Sequence, residues 1–246
     1  MTLLKGLLLL LLAAPKLQAL RLDAPPQASP FVFEADKSDD CQGRPPRLSE
    51  AELSRYLSYY EIEGASGYTN AIVTYAGLEK QSYIDGAVML GRSLHRLHLM
   101  TYRLAMVQRG MKLESMQLLR NAGWHVLEVD PFVPEDYPRW KCGYWRDSYN
   151  KADIFRLPFP QVVYLDADTY VFGNRSDFLP LMNAALGPGE IRMAWDADGQ
   201  NFNSGVMVYR PSIQAFKSIF RMMQNATLDQ PAINWYFRNE AGPITV

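Results

Sequence analysis

Two aspartates, Asp166 and Asp168, close an apolar run that begins Val162-Val163-Tyr164-Leu165. A run rich in β-branched and aromatic residues predicts a buried strand, and side chains two positions apart on a strand share a face. On that reading both carboxylates aim at one spot. Like charges so close repel, so a divalent cation or protonation must compensate them wherever water is scarce. The chemistry such a pair supports is the gripping of a cation that in turn holds a diphosphate.

The elements around the pair must position it, and they alternate. Residues 70–76 predict a strand followed by a glycine turn, and residues 83–98 carry apolar side chains at helical spacing. Residues 103–108 and 124–129 predict strands with a helix at 114–122 between them. A proline-bearing loop, a helix over 150–156 and the strand at 162–165 follow. Beyond the aspartates, 177–186 reads as helix, 191–194 and 205–209 as strands, and 213–224 as an amphipathic helix. Such alternation predicts an α/β fold, Rossmann-like, with a mostly parallel central sheet flanked by helices. Ligands bind at the carboxyl ends of the strands in open sheets of this kind, and the aspartates lie at such an end.

Composition narrows the partners. A formal net charge of −1, with scattered basic residues, supplies no attraction toward nucleic-acid phosphates, so no nucleic acid is expected. Residues 1–19 combine Lys5 with the apolar stretch 6–14 and Pro15, the pattern of a secretory signal peptide. Its apolar core is about nine residues against the roughly twenty a spanning helix needs, so no permanent membrane span is expected. The expected location is the secretory pathway, in the Golgi or ER lumen, or outside the cell. There Cys41 and Cys142 form a candidate disulfide, with two free buried cysteines the alternative. Asn174 and Asn225 open glycosylation sequons. Residues 20–66, proline-rich up to 47, read as a stem or linker. It holds one short helix, opened by the capping box Ser49-Glu-Ala-Glu52 and running toward Tyr60.

No glycine-rich phosphate loop is present, so the charge of a bound nucleotide must be met by metal and basic side chains. Five blocks in order then carry a resemblance: Asn70-Ala-Ile-Val-Thr-Tyr75 with Tyr83-Ile-Asp-Gly-Ala; Lys151; Val163-Tyr-Leu-Asp-Ala-Asp-Thr-Tyr-Val171; Phe202-Asn-Ser-Gly-Val-Met-Val-Tyr-Arg-Pro-Ser212; and Asp229-Gln230 with Asn234. Together they resemble the family 8 glycosyltransferases, the glycogenin-like retaining enzymes that use nucleotide sugars. The resemblance implies a single GT-A-like domain over 67–246. It implies Mn²⁺ or Mg²⁺ on Asp166 and Asp168, and a nucleotide held by Thr74, Tyr75, Tyr83 and Ala167. It further implies a sugar met by Asn203, Ser204 and Gln230, with catalytic roles for Asp229, Lys151 and Asn203. The implied reaction moves a hexosyl or related sugar from a UDP-sugar to a hydroxyl on a glycan, protein or small molecule, in a monomer or a homodimer.

Two departures stand out. Ala226 replaces a carboxylate usual in the family, and the family's C-terminal His-x-x-Gly-x-x-Lys-Pro-Trp segment has no counterpart up to Val246. For this 246-residue form the resemblance therefore implies low or no turnover. The alternatives are a non-catalytic nucleotide- or sugar-binding protein and a haloacid-dehalogenase-type phosphatase, whose site also opens with Asp-x-Asp after an apolar strand.

Overall fold

The computed structural model describes residues 48–77, 80–132, 149–224 and 228–246. The signal-peptide pattern of residues 1–19, Cys41, Cys142 and Asn225 lie outside the described residues. The elements are α1 (Glu50–Ser54), β1 (Ala71–Tyr75), α2 (Gln81–His95), β2 (Tyr102–Gln108), α3 (Leu113–Asn121), β3 (His125–Val129) and a 3-10 helix (Asn150–Arg156). They continue with β4 (Val162–Leu165), α4 (Arg175–Met182), β5 (Ile191–Trp195), β6 (Phe202–Tyr209), α5 (Ile213–Met223), α6 (Asp229–Asn239) and β7 (Ile244–Thr245).

The strands form one sheet in the order β3-β2-β1-β4-β6-β5-β7. β1 is parallel to both β2 and β4, β2 to β3, and β5 to β7. β6 is antiparallel to both its neighbours, β4 and β5. The mostly parallel sheet is thus present, and its one reversed strand falls next to the strand that carries the aspartates.

Period-two alternation sorts the strand residues into two cores. Val73, Leu104, Met106, Tyr164, Met207 and Tyr209 face one way, against Phe155, Phe216, Phe220 and Ile233 of the 3-10 helix, α5 and α6. Ile72, Ala105, Val107, Val163, Leu165 and Val208 face the other, against Ile84, Leu90, Leu119 and Phe178 of α2, α3 and α4. A sheet covered on both faces needs near-continuous apolar strands, which is why these strands show so little polar alternation. On α5 the buried residues Ala215, Phe216, Ile219, Phe220 and Met223 make one stripe, and Ser212 caps its start.

Two expectations are corrected and one is refined. The boundary at 67 does not separate linker from domain. Leu53 is buried in the first core, Tyr56, Leu57, Tyr60 and Ile62 pack against it, and Arg156 donates to the Ser58 carbonyl oxygen at 3.0 Å. A segment that buries this much apolar surface belongs to the domain. The capping box at Ser49 and Glu52 is present, but its helix ends at Ser54, well short of position 60. The helix expected over 150–156 is present over those same residues, in 3-10 form and with every residue buried.

Candidate active site

Strand order reverses at β1: the chain builds β2 and β3 to one side, then places β4 on the other. Such a reversal of strand order marks the usual ligand position in open α/β sheets, at the carboxyl ends of the strands. A cavity of about 700 Å³ opens at this point. Tyr75, Ala76 and Gly77 line it from β1, Lys80 and Tyr83 from the start of α2, and Asp166, Ala167 and Asp168 from the end of β4. Because β6 runs the other way, its beginning reaches the same end of the sheet and contributes Ser204. The first turns of α6 add Asp229, Gln230 and Asn234.

Asp166 and Asp168 do not share a strand face as expected. β4 ends at Leu165, and Asp166-Ala167-Asp168 form a turn in which the Thr169 N–H donates to the Asp166 carbonyl oxygen at 3.0 Å. Two glycines make room for this turn. A Cβ on Gly86 of α2 would lie 2.4 Å from the Ala167 carbonyl oxygen, and one on Gly205 would lie 2.9 Å from Oδ2 of Asp166. Close backbone approach of this kind is open to glycine alone.

Lys151 lies at the centre. Its ammonium donates to Asp229 Oδ2 at 2.8 Å, Asp166 Oδ1 at 3.0 Å and Ser204 Oγ at 3.1 Å, with only 9% of the side chain exposed. Burial alone would depress the lysine, but the charges of Asp166 and Asp229 outweigh it and its pKa is raised, keeping the ammonium charged. Asp229 responds in the opposite sense to its own burial: Lys151 and hydrogen bonds from Lys151, Ser204 and the Gln230 backbone hold it below the usual carboxylate range. Asp166 is pushed up by burial, against the pull of Lys151 and of the Tyr164 hydroxyl, which donates to its Oδ1 at 2.7 Å; Asp229 adds repulsion. The three charges form one network spanning the 3-10 helix, the β4 turn and the start of α6.

The donor atoms fit a hard divalent cation that shares its ligands with a diphosphate. Asp168 is exposed, and neither it nor Oδ2 of Asp166 has a hydrogen-bond or ion-pair partner among the described residues. No group of three or more His, Cys, Asp or Glu side chains is arranged for a metal among the described residues. Two carboxylates completed by phosphate oxygens and water is the usual supply for Mg²⁺-like ions at nucleotide sites.

Most of the residues expected from the sequence converge here: Tyr75, Tyr83, Lys151, Asp166, Ala167, Asp168, Ser204, Asp229 and Gln230. Thr74 and Asn203 do not line the cavity. Thr74 is wholly buried, its hydroxyl without a partner among the described residues, and Asn203 turns back on its own strand to accept the Gly205 N–H at 2.7 Å. Lys80, Asp198 and Asn201 enter the lining without having been singled out for it, and Asn234 enters it from the fifth block. Asn234 was visible as part of the Asp-Gln-x-x-x-Asn spacing. It clamps α6 to β6 by accepting the Phe202 N–H at 3.0 Å and donating to the Phe202 carbonyl oxygen at 2.8 Å. Asn174 caps α4, accepting from the N–H groups of Ser176 and Asp177, and stands exposed.

No protein-family model matches the chain. Among curated proteins it is 27% identical over 183 residues to inositol phosphorylceramide glucuronosyltransferase 1 of Arabidopsis thaliana, covering 72% of this chain and 32% of that protein. It is 22% identical over 199 residues to galactinol synthase 7 of the same plant, covering 66% and 60%. To human glycogenin-1 it is 28% identical over 174 residues, covering 65% and 46%. The chain thus spans between 32% and 60% of the length of these relatives. Among solved structures, galactosyltransferase LgtC in complex with donor and acceptor sugar analogues superposes with a TM-score of 0.52 at 18% identity, over 71% of this chain and 72% of that one. Glycosyltransferase GlyE of Streptococcus pneumoniae TIGR4 gives 0.51 at 19% identity, over 73% and 45%. The structures speak to the fold, which is GT-A-like, and the curated relatives to the sequence. In the order of its motifs, in its relatives and in its fold, the chain is similar to the glycogenin-like family 8 glycosyltransferases.

Proposed function

We propose that this chain is a metal-dependent retaining glycosyltransferase that moves a sugar from a UDP-sugar to a hydroxyl acceptor. One observation carries the reading: at the β1/β4 switch point, a cation-ready aspartate turn, a buried charged lysine and an ionised carboxylate line one cavity of nucleotide-sugar size. A Mn²⁺ or Mg²⁺ ion held by Asp166 and Asp168 would neutralise charge on the diphosphate leaving group. Tyr75 and Tyr83 flank the β1 side of the cavity, where an aromatic wall suits a uracil ring. Lys151 stays charged and offers its ammonium to developing negative charge on the donor. Asp229 stays ionised, able to steady positive charge at the anomeric carbon or to orient the attacking hydroxyl. Retention of configuration rests on the likeness to the family.

Delivery to the secretory pathway belongs to the same proposal. It is supported by the apolar stretch 6–14 and by the exposure of Asn174, whose Nδ2, the atom a glycan would take, makes no hydrogen bond among the described residues. Secretion from eukaryotic cells with a glycosidase-sensitive mass at Asn174 is the expected result.

The decisive experiment is UDP binding by calorimetry with and without Mn²⁺, followed by UDP release from UDP-glucose, UDP-galactose, UDP-xylose and UDP-glucuronate. Mn²⁺-dependent UDP binding is expected. No binding under either condition would remove the proposal.

A further inference from the structure

The amide of Gln230 is held at both ends, and the second hold comes from a residue outside the cavity lining. Pairing between β5 and β6 breaks at a bulge: Met193 faces Met207, yet the next residue, Ala194, faces Asn203. Residues 204–206 of β6 are left without β5 partners. Bulges of this kind gather beside functional sites because they free backbone groups for other use. The freed N–H of Ser204 donates to Oε1 of Gln230 at 3.0 Å. The other end of the same amide, Nε2, donates to Oδ2 of Asp196 at 2.6 Å.

Asp196 is itself fixed. Its N–H donates to the Asn201 carbonyl oxygen at 2.8 Å, its carbonyl oxygen accepts from Gly199 at 3.0 Å, and its Oδ1 accepts the Ala197 N–H at 2.7 Å. The loop it opens is closed by Asp198, which accepts the N–H groups of Gln200 and Asn201 on Oδ1 and the Asn201 amide on Oδ2.

We propose that Asp196 is a positioning residue that sets the orientation of the Gln230 amide and thereby the recognition of the donor sugar. Turning the amide over would set Nε2 against the Ser204 N–H and Oε1 against a carboxylate, two donors facing each other and two acceptors facing each other. In the observed orientation both ends are matched. One N–H and one Oε1 lone pair are left over, on a side chain that lines the cavity. A sugar hydroxyl therefore meets a defined donor and acceptor rather than a rotor. Without Asp196, one end of the amide is unmatched and the orientation is lost. The inference rests on reading the cavity as a nucleotide-sugar site.

The experiment compares UDP with UDP-glucose and UDP-galactose, in the presence of Mn²⁺, on the full chain and on Asp196→Leu and Asp196→Asn. An asparagine can still accept from Nε2, whereas a leucine cannot. The ratio of UDP-sugar affinity to UDP affinity should fall about tenfold in Asp196→Leu, as for one unmatched polar group. UDP affinity itself should hold, and Asp196→Asn should restore the ratio. Loss of UDP and UDP-sugar binding in parallel, or an unchanged ratio in Asp196→Leu, overturns the proposal. If the unaltered chain binds no UDP, it is the nucleotide-sugar reading that fails. The positioning of the amide then still faces its own test. The side-chain NH₂ peaks of Gln230, assigned by their absence in Gln230→Ala, should be exchange-protected in the unaltered chain and lose that protection in Asp196→Leu. Identical peaks in both refute the positioning.

Discussion

The ammonium of Lys151 lies 2.8 Å from Oδ2 of Asp229, so a basic residue from a buried 3-10 helix meets the first residue of α6 in the wall of the cavity. The same ammonium reaches Asp166 at 3.0 Å. Removing it leaves two inward carboxylates facing each other.

Lys151→Met should therefore destabilise the protein by about 3 kcal/mol or more, as for the loss of one partner of a buried ion pair. Mn²⁺ should recover part of that loss, because a cation on Asp166 relieves the repulsion. Thermal unfolding with and without MnCl₂ measures both effects. A midpoint equal to that of the unaltered protein would count against the network.

Gly86→Ala should destabilise by about 1–3 kcal/mol through overpacking. At an ordinary helix position the same change stabilises by up to about 1 kcal/mol. The sign is decided by the 2.4 Å approach to the Ala167 carbonyl oxygen, which is backbone and has nowhere to move without shifting the aspartate turn. Urea unfolding reads the stability, and UDP calorimetry should show weaker Mn²⁺-dependent binding.

Asp168→Asn should separate binding from stability. The side chain is exposed and without a partner among the described residues, so the change in unfolding free energy should stay within about 0.5 kcal/mol. Mn²⁺-dependent UDP binding should be lost. Equal UDP affinity with and without Mn²⁺ in both proteins would exclude Asp168 as a metal ligand.

Asp153 predicts a pH dependence. Burial pushes its pKa up to about 6, although Arg156 and hydrogen bonds from Asn150 and Tyr60 pull the other way. The folded state thus binds more protons than the unfolded chain between the two pKa values, and stability falls as pH rises from about 4 to about 6. The contribution is about 3 kcal/mol over that window. Asp153→Asn removes it, so the variant should gain on the unaltered protein as pH rises. A constant difference from pH 4 to pH 7 in urea unfolding would refute the assignment.

Much of the framework was legible along the chain because it depends on local periodicity. Strands such as 162–165 and helices such as 213–224 bury continuous runs or one clean stripe, and their limits fall within a residue of expectation. The site was legible where chemistry sits in a short run: Asp166 and Asp168, Ser204, and Asp229 with Gln230. It was illegible where a residue's role depends on partners far along the chain. Thr74 and Asn203 look like site residues by position, but their side chains point into the core or back on the strand. Asp196 shows no sign of its role until the bulge in β6 and the start of α6 are seen together.

By itself the sequence determined an α/β alternation, a carboxylate pair at the end of an apolar strand, and the order of motifs that resembles family 8. These follow from hydrophobic period and residue type, which act over a few residues. The tertiary structure alone decided that β6 runs backwards, bringing Ser204 to the same end of the sheet as Asp166. It also decided that Lys151 bridges Asp166 and Asp229, and that residues 48–66 belong to the domain, anchored through Leu53 and Ala65. Those outcomes depend on strand order and long-range burial, where opposite charges buried together must find each other and unpaired backbone groups must find a partner.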